Sequence, residues 1–318
     1  MLDRAKLIKL VKAQSNHLAD QQANSANLAV QTWYQLAADP EFKTNLVAAK
    51  LNFSVPEWQG RLDEFVRLVS EKFHYGVVAS DGSQIYPDRQ MGSNYYLINT
   101  GVVSLRYNRS SSASLHSEPY FFANLEGFEG NIADYIDSKR HELEIADGLK
   151  KISTEQMGAG PLIYLCDGSL IAWHLFGKGD DLQERFMPVY FQQLDTFYQR
   201  KIPLIGYISL PNSTELINLV RAKFCNFEPS SEKFGELLEI TDADLMAKIL
   251  QPLQFTNWFK SNVSAAKIYP DHLRPYFAYY HTGNEIARIE LPGWLMKNPE
   301  LLKTCMQVVM DQALKGFG

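Results

Sequence analysis

The chain has 318 residues, 46% of them apolar and 12% aromatic, enough to bury a sizeable core in two small domains or one large elaborated one. Its net charge of −5 argues against a coat that holds nucleic acid by overall charge, while leaving room for a local basic groove. There is no bilayer-length apolar run, the start Met1-Leu2-Asp3-Arg4-Ala5-Lys6 lacks a signal peptide's apolar centre, and Cys166, Cys225 and Cys305 form neither a zinc nor a disulfide spacing, so a soluble cytoplasmic protein without membrane contact is expected.

Residues 1 to about 70 carry helical spacing, first in Leu7, Leu10, Val11 and Leu18, then from Leu28 to Ala38, then in Leu62, Phe65, Val66 and Val69. Asp39-Pro40 and Val55-Pro56 divide this stretch into three predicted helices. A helical region over 1–70 and a second domain over 71–318 follow from that pattern.

From Phe73 the period changes to two. The apolar run Phe73–Ala79 delivers Asp81 and turns at Gly82. Asn94–Asn99, a turn at Thr100-Gly101, and Val102–Tyr107 complete a predicted antiparallel meander. The serine-rich stretch 108–117 reads as a mobile loop. Residues 131–152 are helical, and stepping 100° per residue puts Tyr135, Ile145, Ala146, Leu149 and Ile152 on one face with Glu142 among them. Glu144 points the other way, alongside Arg140 and Lys151. Pro161–Ile171 is a second buried strand that ends, like the first, in Asp-Gly-Ser, at Asp167.

The pattern then becomes a helix over 181–200, a strand over 203–209 and a helix over 213–224 with a capping-box start at Asn212–Glu215. Such alternation implies parallel strands with right-handed crossovers. A helix near 241–251, a hairpin of Tyr276–His281 and Glu285–Leu291, and a helix from Pro299 to Leu314 complete the chain. Meander, helix and parallel βαβ together are the strand programme of a ribonuclease-H-like mixed sheet, in which the first and fourth strands adjoin. Asp81 would then stand beside Asp167.

Paired strand-end carboxylates either repel or hold a divalent cation, and a carboxylate on an apolar helix face needs a partner of its own. Asp81, Glu142 and Asp167 are therefore the predicted acids of a metal site. Oxygen donors without clustered His or Cys favour Mg²⁺ or Mn²⁺, and paired ions suit phosphodiester cleavage. A haloacid-dehalogenase-type phosphatase would need an Asp two residues before the other, where Ala79 and Leu165 stand. There is no Gly-x-Ser-x-Gly elbow, and the histidines show no HExxH spacing; His281, at the predicted hairpin tip, is the one to follow.

The segments Val77–Ile85, Leu165–Ile171 and Ile286–Pro292, with its Arg-Ile-Glu-Leu-Pro run, resemble the NurA domain nucleases over about residues 70–318. The resemblance implies a nuclease core using Mn²⁺ or Mg²⁺, action on DNA ends and single strands in double-strand-break repair, a homodimer, and a HerA-type hexameric ATPase as partner. It makes Asp81 and Asp167 metal-binding acids and assigns the helical glutamate to Glu142 or Glu144, between which the face pattern selects Glu142. Family members continue past the last helix into a Tyr-Pro segment with a histidine beyond it, whereas this chain stops at Lys315-Gly316-Phe317-Gly318, so a truncated C-terminus and an incomplete site are expected. Arg89, Arg106 and Arg288 are the predicted DNA contacts. The contrasting expectation is a non-catalytic DNA-binding or ATPase-docking subunit with the same fold.

Overall fold

The structure, a computed structural model, describes residues 3–88, 95–107, 111–123, 130–155, 160–228 and 234–316. The chain opens with helices α1 (Arg4–Ala38) and α2 (Phe42–Ala48) and the short strands β1 (Glu57–Trp58) and β2 (Phe65–Arg67). Strands β3 (Tyr75–Ile85), β4 (Tyr96–Tyr107) and β5 (Ser112–Phe122) lead into α3 (Ile132–Thr154), β6 (Leu162–Asp167), α4 (Asp180–Gln199) and β7 (Leu204–Ile208). Next come α5 (Glu215–Phe224), α6 (Asp242–Ile249), β8 (Gln254–Thr256), β9 (Phe259–Lys260) and α7 (Ser264–Lys267). Strands β10 (Pro275–His281) and β11 (Ile286–Pro292) and helix α8 (Pro299–Gly316) close the chain. Two compact units result, one of Met1–Arg67, Leu210–Val263 and Ala278–Ala287, the other of Leu68–Ser209, Ser264–Phe277 and Arg288–Gly318.

In the first unit, Asp3 caps α1 by accepting from the backbone N–H groups of Ala5 and Lys6. The helix stops at Asp39, whose extended backbone is what the following Pro40 demands. Ala29, Trp33 and Leu36 bury the end of α1 against α5 and α6. The helix expected around Leu62–Val69 is absent. Phe65–Arg67 forms β2 instead and pairs with β8, Val66 opposite Phe255, because a partner strand outweighs a four-residue helical spacing. The expected capping box at α5 is also absent: Thr214 makes no side-chain cap, and Glu215 turns inward to accept from Ser261 Oγ at 2.7 Å. A capping box does form at α6, between Thr241 and Asp244.

The second unit is built on a mixed sheet in the order β5-β4-β3-β6-β7-β11. Strands β3, β4 and β5 are antiparallel, β3–β6 and β6–β7 are parallel, and β11 returns antiparallel on β7. The first and fourth strands of this series adjoin, as the sequence pattern required. Helix α3 lies on the face that carries Ser80, whose hydroxyl donates to the Glu144 carbonyl oxygen at 2.7 Å. Tyr75, on the opposite side-chain phase of β3, bonds Asp311 of α8.

Two expectations for the meander are corrected. Thr100-Gly101 is no turn but the middle of β4, where Thr100 is fully buried and donates to the buried carboxylate of Asp147 at 2.5 Å. The third strand is the serine-rich segment itself, Ser112–Phe122, paired with β4 from Arg106↔Ser112 to Tyr96↔Phe122. As an edge strand with its first half exposed it needs no apolar alternation, which is why it reads as a loop; residues 108–110 lie outside the described part. Among the described residues no helix is long and apolar enough to cross a membrane.

Candidate active site

The register between β3 and β6 sets the site. Ser80 stands opposite Cys166, so the next residues, Asp81 and Asp167, follow at the same level; β6 ends at Asp167, whereas β3 runs on to Ile85 with Gly82 opposite Thr100 of β4, so the turn expected at Gly82 is absent. Alternation turns both side chains to the same side, and both are exposed. The Gly82 N–H donates to Asp81 Oδ1 at 2.8 Å, and the Gly168 N–H donates to the Tyr207 carbonyl at 2.8 Å, which fixes the backbone just past each acid.

On helix α3 the carboxylate that feels the Asp81 charge is that of Glu144. The buried positions of α3 include Ser138, Glu144, Asp147 and Gly148 as well as the apolar Tyr135, Ile136, Ile145 and Ile152, so the helix is covered on two sides. One side meets the sheet, where Gly148 lies against the Tyr164 ring so closely that a Cβ would collide with it. Gly82 gives Glu144 its place, since a Cβ there would come within 2.6 Å of Glu144 Oε1. The other side meets α4, and Glu142 faces that way: its carbonyl accepts from Gln193 Nε2 at 2.9 Å, and its carboxylate pairs with Lys139 at 2.7 Å. Burial pushes the Glu144 carboxyl up to about 7, with the nearby Asp81 charge adding to the effect. Arg140 opposes this, with Nη1 2.5 Å from Glu144 Oε1 and 3.3 Å from the Gly82 carbonyl.

A brace behind the second acid was not anticipated in the sequence. Glu290 on β11, 1% exposed, accepts from Ser169 Oγ and from the Leu170 N–H, each at 2.8 Å, and so grips the turn that follows Asp167. Arg288, 2% exposed, donates from Nε to Glu290 Oε1 at 2.8 Å and lies 3.8 Å over the Phe277 ring. The Arg-x-Glu spacing on one strand phase was the available signal.

The other predicted residues are placed elsewhere. Arg288 is spent on that brace, and Arg106 is buried against Glu155 at 3.6 Å, so neither lies on an open DNA-facing surface. Arg89 lies outside the described residues. His281 Nδ1 accepts from the Gly283 N–H at 3.0 Å, a turn contact. His141 and His174, with ring centroids 4.6 Å apart, are held neutral by burial, down to about 3 and about 4.

A model of the NurA domain matches residues 75–318. The chain belongs to the NurA domain family. Among solved structures it is similar to the NurA nuclease from Sulfolobus solfataricus, at 12% identity over 97% of this chain and 86% of that one, with a TM-score of 0.50. A likeness to Drosophila Piwi, at 10% identity over 68% of this chain and 23% of that one, has a TM-score of 0.27 and carries no argument. No curated protein matches the chain. The NurA family match and the shared α/β fold support a nuclease.

For a NurA-family chain the question is whether these acids suit a divalent cation. Their donor chemistry does, since Asp81, Glu144 and Asp167 offer only carboxylate oxygens and Glu144 is pressed toward protonation beside Asp81. Their spacing is wider than ligation: among the described residues no group of three or more His, Cys, Asp or Glu side chains closes on a common point. Cys166, between the acids, has its thiol pushed up to about 12 by burial and by Glu144 and Asp167, so it offers no thiolate at neutral pH.

Proposed function

We propose that this NurA-family chain is a divalent-cation-dependent deoxyribonuclease that hydrolyses phosphodiester bonds at DNA ends and in single strands. The observation that carries the reading is the level placement of Asp81 and Asp167 on adjacent parallel strands, with Glu144 close enough to feel the Asp81 charge. Asp81, Glu144 and Asp167 would hold Mn²⁺ or Mg²⁺, which supplies charge neutralisation of the phosphate and activation of water. Glu144 takes the role that sequence spacing gave to Glu142, because Glu144 is the one that feels the Asp81 charge while Glu142 lies toward α4.

The residues around the acids serve this chemistry. Gly82 admits the Glu144 carboxylate against β3, Arg140 neutralises it in the absence of a cation, and the Arg288–Glu290 brace holds the turn from which Asp167 projects. Work in double-strand-break repair, with a second copy of the chain and a HerA-type ATPase, belongs to the same proposal and rests on the family resemblance.

The test is cleavage of end-labelled single-stranded DNA with Mn²⁺ and with EDTA. The native chain is expected to cleave only with the cation. Asp81→Asn, at an exposed position that leaves the fold intact, should slow cleavage by about 10²-fold or more. Cleavage that persists in EDTA or survives Asp81→Asn would contradict the proposal.

A further inference from the structure

The start of β3, at the end of the strand away from Asp81, opens into a cavity of about 420 Å³ lined in part by Lys72, Phe73, Tyr75, Tyr107, Asp311 and Lys315. Three of these side chains form a stack. The ring centroids of Phe73 and Tyr75 lie 4.9 Å apart with 29° between their planes, and those of Tyr75 and Tyr107 lie 4.8 Å apart at 30°. Lys315 Nζ, 3.9 Å from the Tyr107 centroid, closes one end of the stack. At the other end no further ring among the described residues stacks on Phe73, which is only half-buried.

The stack is also held still. Tyr75 is 2% exposed, its hydroxyl bonds Asp311, and it accepts from Gln312 Nε2 at 2.7 Å. Lys315 pairs with Asp311 and cancels its charge. Lys72 is exposed at the cavity and has no acidic partner within ion-pair distance among the described residues. Anchoring of α8 accounts for Tyr75, Asp311 and Lys315. It does not account for an open aromatic end beside an unpaired lysine in a cavity of nucleotide size.

We infer that this cavity is a stacking subsite for one base of single-stranded DNA, with Phe73 under the base and Lys72 against its phosphate. The inference rests on the nuclease reading and adds a second contact along the same strand. Tyr75 and Asp81 are six strand residues apart, roughly 20 Å, so the base held here lies several nucleotides from the bond cleaved. Stacking tolerates any base, as a nuclease without sequence preference needs.

The experiment measures binding of a fluorescent oligothymidylate of about a dozen nucleotides, with Asp81→Asn as the non-cleaving background. Phe73→Ala is expected to weaken binding about ten-fold, and Phe73→Trp to bind at least as tightly as the parent. Lys72→Gln should lower the slope of log affinity against log salt by about one. Thymidine monophosphate should compete far less well than the strand, because it spans only one contact. A folded Phe73→Ala that binds like the parent, a Phe73→Trp that binds more weakly, or a monophosphate that competes equally would overturn the inference. If the native chain still cleaves DNA in that event, the nuclease reading stands; a native chain that neither binds nor cleaves would end both.

Discussion

At the scale of single residues, Glu142 and Glu144 differ by two helix positions, about 200° around the axis, and that rotation decides which meets the sheet. Stepping around the helix from its most apolar residues selects the stripe toward α4 and misses a second buried stripe made of Glu144, Asp147 and Gly148. A glycine and two acids inside a long helix were the trace of that second contact. The consequence is measurable without a cation. Glu144 titrates near 7 in the fold against 4.5 for an unburied glutamate, because burial favours its protonated form. Its contribution to stability is therefore full below about pH 4.5 and is lost as pH rises to about 7. In metal-free buffer the urea midpoint of the native chain should fall across that window, and Glu144→Gln should flatten the fall. The same slope in Glu144→Gln as in the native chain would contradict the placement of this carboxyl.

At the scale of elements, β11 braces the turn after β6 through a buried ion pair. Glu290→Ala would leave the Arg288 guanidinium buried without its carboxylate and the Leu170 N–H without its acceptor, at a cost of about 3–5 kcal/mol. Urea denaturation should show that loss, with cleavage reduced in the surviving folded fraction because the Asp167 turn is released. A variant as stable as the native chain would remove the brace from the account. The elements differ in how far their sequences declared them. The two Asp-Gly-Ser strands were legible because their inner halves, Tyr75–Val78 and Leu162–Leu165, are runs of Val, Ile, Leu and Tyr broken only by Gly76. Strand β5 was not, since an exposed edge places no demand on Ser112–Ser117, and β2 was not, since its pairing with β8 lies far away in the chain.

At the scale of the whole molecule, the parallel register of β3 with β6 was legible from the alternation of elements, and it alone brings Asp81 level with Asp167. The arginines were not legible by the same means, because a sequence does not say whether a guanidinium faces solvent or, like Arg288, a buried glutamate. With a net charge of −5 the chain has no general attraction for DNA, so in the proposed reading a cation among the acids would be what lets them accept a phosphate. The most direct measurement is a Mn²⁺ titration followed by electron paramagnetic resonance, comparing the native chain with Asp81→Asn, Glu144→Gln and Glu142→Gln. The account predicts binding by the native chain, affinity at least about ten-fold weaker in Asp81→Asn and Glu144→Gln, and affinity unchanged in Glu142→Gln. Equal affinity in the native chain, Asp81→Asn and Glu144→Gln, or loss of binding confined to Glu142→Gln, would contradict it.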